Sequence, residues 1–315
     1  MEYRTLGRTG LRVSLLGLGS GGASRLGQAY QASTEAITRL VRRALDAGVN
    51  LIDTAPSYAH SEALLGEALA GVPRDQYVLS TKFQPQRRDG GLREPDELRA
   101  SLEASLRALR TDAVDVFYLH GIGPQIYASV VERFLPPLLA ARHAGLIRFV
   151  GLTERYQTDH AHAAPLRAIQ DGHFDVLMVG LNLLSPAAVL SVLPAAQAAN
   201  IGIVVMCVVR SVLTDPAAVQ GYVRSWEQEG LLRPGLVPAE APLEWLLDAE
   251  TPSITDAAYK FAAAHPAVGS VLTGTGRLEH FHANLRAIEG PPLPPERISR
   301  VLELFGPVAR NVQPA

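Results

Sequence analysis

Short apolar runs alternate with longer stretches in which apolar residues recur at every third or fourth position. The short runs fall at 13–19, 51–54, 77–82, 114–119, 147–152, 175–181, 201–206 and 268–273. They are nearly continuous rather than alternating, which is the pattern of strands buried on both faces, as in a parallel sheet covered by helices. Between them the period becomes helical. Ile37, Leu40, Val41, Ala44 and Leu45 follow a start signal at Ser33-Thr34-Glu35 and precede a stop at Gly48. Leu98, Leu102, Leu106 and Leu109 line one face of a helix that begins at Glu94. Further helices are predicted over 61–69, 130–144, 160–171, 185–199, 255–265, 278–288 and 296–305, with Pro186 at a first helical position. Residues 1–12, with Gly7 and Gly10, read as a short hairpin. The stretch 210–254, with its prolines, glycines, Trp226 and Trp245, reads as the longest irregular insertion. Insertions of that length inside a compact domain usually carry function.

Eight strand–helix units follow one another without a composition break at mid-chain. That order predicts an α/β fold: a single (β/α)8 TIM barrel over 1–315, with a short N-terminal hairpin and a long loop after the seventh strand. A doubly wound open sheet is the alternative. The chain has 315 residues, 47% of them hydrophobic and 19% charged, enough to bury one large core. A net charge of −2 with mixed signs throughout builds no basic stripe, so nucleic acid is not an expected partner. The single cysteine, Cys207, excludes an internal disulfide and fits a reducing compartment. No apolar run approaches membrane-spanning length and none follows Met1, so the expectation is a cytoplasmic protein with no membrane part.

Gly17-Leu18-Gly19-Ser20-Gly21-Gly22 satisfies the G-x-G-x-x-G pattern of a dinucleotide-binding turn. Its context does not. The glycines should open directly into a helix whose N-terminus receives the pyrophosphate, whereas here the helix begins near Thr34. The glycines are better read as letting a ligand lie close to the backbone at a barrel strand end.

Candidate chemistry collects where consecutive strands end. The run 51–54 contains Asp53 and is followed by Tyr58; the next strand closes on Lys82 and the one after it on His120. In parallel barrels, catalytic groups come from the carboxyl ends of several strands. A phenol is a poor acid at neutral pH unless tuned, a nearby ammonium stabilises its ionised form, and a buried ammonium calls for a carboxylate. Lys82 therefore suits Tyr58, Asp53 suits Lys82, and His120 suits a substrate oxygen. The set fits protonation of a carbonyl oxygen while hydride reaches the carbon. It calls for no metal, and the histidines show no tight ligand spacing apart from His160-x-His162 and His280-x-His282, the second of which diverges on a helix.

The order Asp53, Tyr58, Lys82, His120 within LIDTAPSY, LSTKF and FYLHG resembles the aldo-keto reductase superfamily. The opening YRTLGRTGLRVSLLGLGSGG and the late VLTGTGRLEHFHANLRAI extend the resemblance over nearly the whole chain. It implies a (β/α)8 barrel that binds extended NAD(P)H without a Rossmann fold. It makes Tyr58 the general acid, tuned by Lys82 and Asp53, with His120 orienting the carbonyl. It also implies that Gly274, Thr275, Gly276 and Arg277, with His280 and Asn284 on the following helix, hold the adenosine phosphate. A glycine-rich turn entering a helix with an arginine is physically an anion site, so NADPH is the expected cofactor, with Arg277 on the 2′-phosphate. By the same resemblance Gly19, Ser20 and Asp53 lie near the cofactor's centre, and Thr153 and Asn182 contact the nicotinamide amide. The chain departs from the family at Thr153-Glu154, where Ser-Asn is common, at Met178 in place of a glutamine, and at Met206 or Cys207 in place of a stacking aromatic. The expected partner is a small-molecule carbonyl compound or sugar, with Tyr127, Tyr156, Trp226 and Trp245 on the loops that would face it. Two other readings remain: a Schiff-base aldolase with Lys82 as nucleophile, and a barrel that binds cofactor as a sensor or subunit without turnover.

Overall fold

The computed structural model describes residues 1–309. Strands β1 (Tyr3–Thr5) and β2 (Arg12–Ser14) pair as an antiparallel hairpin. The other eight strands are β3 (Leu16–Gly19), β4 (Leu51–Asp53), β5 (Val78–Phe83), β6 (Val114–Ile122), β7 (Ile147–Glu154), β8 (Val176–Gly180), β9 (Gly202–Met206) and β10 (Val268–Thr273). They form a closed, all-parallel barrel in chain order, with β10 pairing back onto β3. The helices are α1 (Thr34–Asp46), α2 (Ser61–Ala68), α3 (Pro95–Leu109), α4 (Tyr127–His143), α5 (Ala163–Asp171), α6 (Ala187–Leu190), α7 (Val192–Ala198), α8 (Pro216–Gln228), α9 (Ile254–Ala263), α10 (Leu278–Glu289) and α11 (Pro295–Ala309). The predicted (β/α)8 barrel with its hairpin is therefore the observed fold, and the open sheet is excluded by the β10–β3 pairing. Among the described residues no helix is long and apolar enough to cross a membrane.

Side chains alternate across each strand, and this divides the core in two. Outward residues such as Ile52, Leu79, Phe117, Val150, Leu177 and Ile203 pack against the helices. Inward residues Leu51, Val78, Val116, Tyr118, Val176, Met178 and Val204 fill the barrel, and Leu6, Leu11 and Val13 of the hairpin region close its amino end. Farther along the same inward positions the residues become polar: Asp53 follows Leu51, Ser80 and Lys82 follow Val78, and His120 follows Tyr118. The change from apolar to polar along one set of alternate positions is what places the chemistry at the carboxyl end.

Several boundaries differ from the sequence expectation. The run 13–19 breaks at Leu15 into a hairpin strand and a barrel strand. The break is held by Ser14, whose N–H donates to Asn50 Oδ1 at 2.7 Å and whose hydroxyl donates to the Leu16 carbonyl at 2.7 Å. Helix 185–199 splits at Ser191 into α6 and α7. The stretch 210–254 is not wholly irregular. It contains α8, capped by Asp215 Oδ1 accepting from Ala217 and Ala218, with Pro216 at the first turn. Val219, Val223 and Trp226 of α8 are buried, and Trp226 packs on Phe305 of α11.

Candidate active site

The register of the first four barrel strands brings the predicted quartet together. Gly19 of β3 pairs with Asp53, Asp53 pairs with Ser80, and Lys82, two residues on, faces inward beside Tyr118 of β6. Lys82 Nζ donates to Asp53 Oδ2 at 2.6 Å and to the Thr54 carbonyl at 2.7 Å. The other carboxylate oxygen of Asp53 accepts from Ser80 Oγ at 2.7 Å. Both charged side chains are shut away from water, at 0% and 4% exposure. Two of the three ammonium hydrogens are thus used, and the third is left for Tyr58, whose ring centroid lies 4.9 Å from Nζ. The ring of His120 meets that of Tyr58 edge-on, with centroids 5.9 Å apart and an interplanar angle of 88°. His120 stands where the β6–β7 register shifts, between Leu119 and Ile122; such irregularities re-aim a side chain at the rim of a barrel. Next to it, the Gly121 N–H donates to Thr153 Oγ1 at 2.8 Å.

The electrostatics follow from burial. Desolvation pulls the Lys82 ammonium down, but the charges of Asp53 and Tyr58 and their hydrogen bonds outweigh it and hold the group above its ordinary value. The lysine is a fixed cation. Burial raises the Tyr58 phenol, the Lys82 charge opposes it, and the balance stays above the ordinary value of 10.0. Lys82 therefore acts in the direction the sequence argument supposed, but desolvation exceeds it, so the resting phenol is protonated. His120 is pulled down to about 3, first by burial and then by Lys82. It is a neutral imidazole at working pH, able to donate one N–H to an oxygen without competing as an acid.

At the same end of the barrel, residues 274–277 follow β10 and lead into α10. Thr275 Oγ1 accepts from the Arg277 N–H at 3.1 Å and shapes this turn. The Arg277 side chain is exposed and lies over the Tyr30 ring, 5.2 Å from its centroid. His280 is exposed on the first turn of α10. Asn284 is buried, and its amide donates to Thr273 Oγ1 at 2.8 Å and Tyr259 Oη at 3.2 Å. Between these residues and the quartet the backbone is glycine-rich: a Cβ on Gly22 would meet nothing within 4 Å and one on Gly19 or Gly274 only ordinary contacts at 3.6 Å, whereas one on Gly21 or Gly276 would press on the Tyr58 ring or on Gly27. The hydroxyls of Ser20 and Thr54 are buried beside it without a hydrogen-bond partner among the described residues. Bare backbone, unpaired hydroxyls and an exposed guanidinium at one end suit an extended phosphate-bearing ligand.

A model described as the Aldo/keto reductase family matches residues 16–305. The chain belongs to the aldo/keto reductase family. It is an oxidoreductase, and aldo-keto reductases use nicotinamide cofactors. The L-galactose dehydrogenase of Arabidopsis thaliana is 26% identical over 326 residues, taking in 100% of this chain and 98% of that enzyme. A D-threo-aldose 1-dehydrogenase of a Pseudomonas species is 31% identical over 230 residues, 64% of this chain and 68% of that enzyme. Among solved structures, the holo form of an aldo-keto reductase from Bacillus halodurans superposes with a TM-score of 0.71 at 22% identity, covering 96% of each chain.

Among the departures from the common aldo-keto reductase pattern, Glu154 has a structural explanation. Glu154 turns into a buried knot, accepting from His162 Nδ1 at 2.7 Å and from the Gly180 N–H at 2.6 Å. Burial alone would lower His162, but the charge and hydrogen bond of Glu154 hold it raised. No spacing rule links residues 154 and 162; only the folded loop does. Asn182 is fully occupied: Nδ2 donates to Tyr156 Oη at 2.8 Å and the Cys207 carbonyl at 3.3 Å, while Oδ1 accepts from the N–H groups of Leu184 and Ser185. Thr153 accepts from Gly121, and its own hydrogen is uncommitted among the described residues. Met206 and Cys207 are half-buried at the end of β9, and Met178 lies inside the barrel. The four aromatics expected on the substrate-facing loops, Tyr127, Tyr156, Trp226 and Trp245, are in packing roles. Trp226 is buried against Tyr222 and Phe305, and Trp245 donates to the Pro242 carbonyl under Arg300. Tyr127 and Tyr156 are buried at 4% and 2% exposure.

Proposed function

We propose that this chain is an NADP-dependent oxidoreductase that reduces an aldehyde or ketone, or oxidises the corresponding alcohol or sugar, with Tyr58 as general acid and base. The observation that carries the reading is the protonated Tyr58 phenol held against a fixed, buried Lys82–Asp53 pair with a neutral His120 beside it. His120 donates to the carbonyl oxygen and aims it at the phenol. When bound, the reduced nicotinamide supplies the hydride. Tyr58 gives its proton to the oxygen as charge develops there, and the phenolate so formed is stabilised by Lys82. In oxidation the phenolate takes the hydroxyl proton back.

Gly274, Thr275, Gly276 and Arg277 would hold the adenosine phosphates, with Arg277 on the 2′-phosphate and His280 as a weaker contact. Gly19 and Ser20 would pass the cofactor's centre beside Asp53. Thr153 would meet the nicotinamide amide with its free O–H, while Asn182 and Asn284 would shape the site from behind. The substrate class is a small carbonyl compound or sugar, in keeping with the sugar dehydrogenases the chain is similar to. The lone thiol of Cys207 fits a cytoplasmic setting, and one barrel domain accounts for the reaction. The raised, carboxylate-paired Lys82 argues against a Schiff-base aldolase, whose lysine must shed its proton to attack. A complete quartet argues against a sensor without turnover.

The reading is tested by following cofactor absorbance over a panel of aldehydes, ketones and aldoses with both NADPH and NADH. Turnover of at least one carbonyl or sugar is expected, with NADPH preferred over NADH. Absence of turnover across the panel despite measurable NADPH binding would favour the sensor.

A further inference from the structure

Residues 20–31, between β3 and α1, touch both ends of the site. Gln28 is their centre. Its Nε2 donates to Ser61 Oγ at 2.9 Å and to the Arg25 carbonyl at 2.8 Å, with the Tyr58 carbonyl at 3.4 Å. Its Oε1 accepts from the His60 N–H at 3.0 Å. Ser61 Oγ in turn donates to the Ser20 carbonyl at 3.0 Å. The turn that carries Tyr58 is therefore bonded on its backbone and flank to the 20–31 loop. The ring itself rests on Gly21: a Cβ there would lie 2.7 Å from Tyr58 Cε2 and Cζ. The two loops are separated by a crevice of about 370 Å³ lined by Gly22, Ala23, Arg25, Gln28, Ala29, Ala59 and His60. The hydrogen bonds of Gln28 bridge it.

The same loop lies on the 274–277 turn. A Cβ on Gly276 would come within 2.3 Å of Gly27 Cα and N, Ser24 Oγ donates to the Gly274 carbonyl at 3.2 Å, and Arg277 covers Tyr30. Around these contacts the backbone is held in unfavourable conformations. Arg25 (φ 44°), Leu26 (φ 58°) and Gln31 (φ 58°) are all left-handed, and such residues persist only where their surroundings dictate them. The loop's shape is thus set by what it touches: the Tyr58 turn through Gln28 and the 274–277 turn through Gly27 and Tyr30.

We propose that Gln28 is a positioning residue that fixes the Tyr58 turn and, through the 20–31 loop, ties the placement of the Tyr58 hydroxyl to a cofactor at residues 274–277. This rests on the reading of Tyr58 as the acid and of 274–277 as the adenosine-phosphate site. Cofactor on the turn steadies the loop, and Gln28 carries that order to the acid. A displacement of ~1 Å in a reacting group costs up to ~10²-fold in rate.

Gln28→Leu keeps the bulk and removes every bond. It is expected to lower kcat by about 10–100-fold with a small change in substrate KM and in Tm, and to move the alkaline limb of the kcat–pH profile as Tyr58 shifts against Lys82. Hydrogen exchange gives a second readout. NADPH should protect 20–31 and 58–61 together in the wild type, and only 20–31 in Gln28→Leu. Gly21→Ala, which pushes on the ring directly, should lose kcat in the same way and serves if Gln28→Leu does not fold. Wild-type kcat and pH profile in these variants would overturn the proposal. So would joint protection that survives Gln28→Leu, or a kcat loss matched by a fall in Tm with an unmoved pH profile. Tyr58→Phe, run alongside, separates the causes. If it is inactive while Gln28→Leu behaves as wild type, only the positioning role fails. If it turns over normally, the acid assignment fails and takes this proposal with it.

Discussion

Replacing Lys82 with Met tests the electrostatic base of the site. The change keeps a long apolar stem but removes the cation. Asp53, at 4% exposure, is then left with Ser80 Oγ as a hydrogen-bond donor and no counter-charge. Removing one partner of a buried ion pair costs about 3–5 kcal/mol, against a net stability of about 5–15 kcal/mol for a typical protein. For a chain of this length each kcal/mol moves Tm by about 2 °C, so the fall should be roughly 6–10 °C. Calorimetry and chemical denaturation read it directly. The double variant Lys82→Met/Asp53→Asn should recover most of the loss, because no buried charge is left unpaired, while activity stays abolished in both. The pH dependence has a definite sign. The folded ammonium lies above its ordinary 10.5, so the pair's contribution is fully present below that value and is lost as pH rises through the folded one. From neutral pH up to 10.5 the gap between wild type and Lys82→Met should be constant, and it should close as pH rises through the folded lysine value. A loss under about 1 kcal/mol, the worth of an exposed pair, would refute the buried-pair reasoning.

Two further predictions follow from the geometry. Arg277→Ala should weaken NADPH by about 1.5–3 kcal/mol, the worth of a charged hydrogen bond, and NADH far less; titration of both cofactors checks this, and equal weakening would misplace the 2′-phosphate. His120→Gln should be less sensitive to acid than the wild type. The folded imidazole stays neutral down to about 3 while the unfolded one protonates near 6.5, so the wild type loses stability as pH falls between them; parallel denaturation curves for the two proteins over that window would contradict it.

The barrel and the quartet were legible in the chain because both depend on local periodicity. Leu51-x-Asp53, Val78-x-Ser80-x-Lys82 and Tyr118-x-His120 are inward positions of period two, so one pattern reports both the core and the chemistry above it. Features that depend on distant partners were not legible. Gln28 is unremarkable until the fold sets it beside Ser61 and His60, and Glu154 meets its histidine only through a folded loop. The saturation of Asn182 likewise depends on Tyr156 and Cys207 arriving from two other segments. Helix α8 did carry a signal, Asp215-Pro216 followed by Val219, Val223 and Trp226 at helical spacing, which the surrounding prolines and glycines obscured. The net direction of the Tyr58 shift required knowing its burial, since charge alone points the other way.

Tyr58→Phe tests the Tyr58 hydroxyl as the proton donor with the loss of one oxygen. The ring still rests on Gly21 and against His120, so the site's packing is kept. Steady-state reduction of the best carbonyl substrate, with NADPH affinity measured on the same preparation, should show kcat down by about 10²–10⁴-fold and cofactor binding nearly unchanged. Turnover near that of the wild type would show that the proton comes from another group.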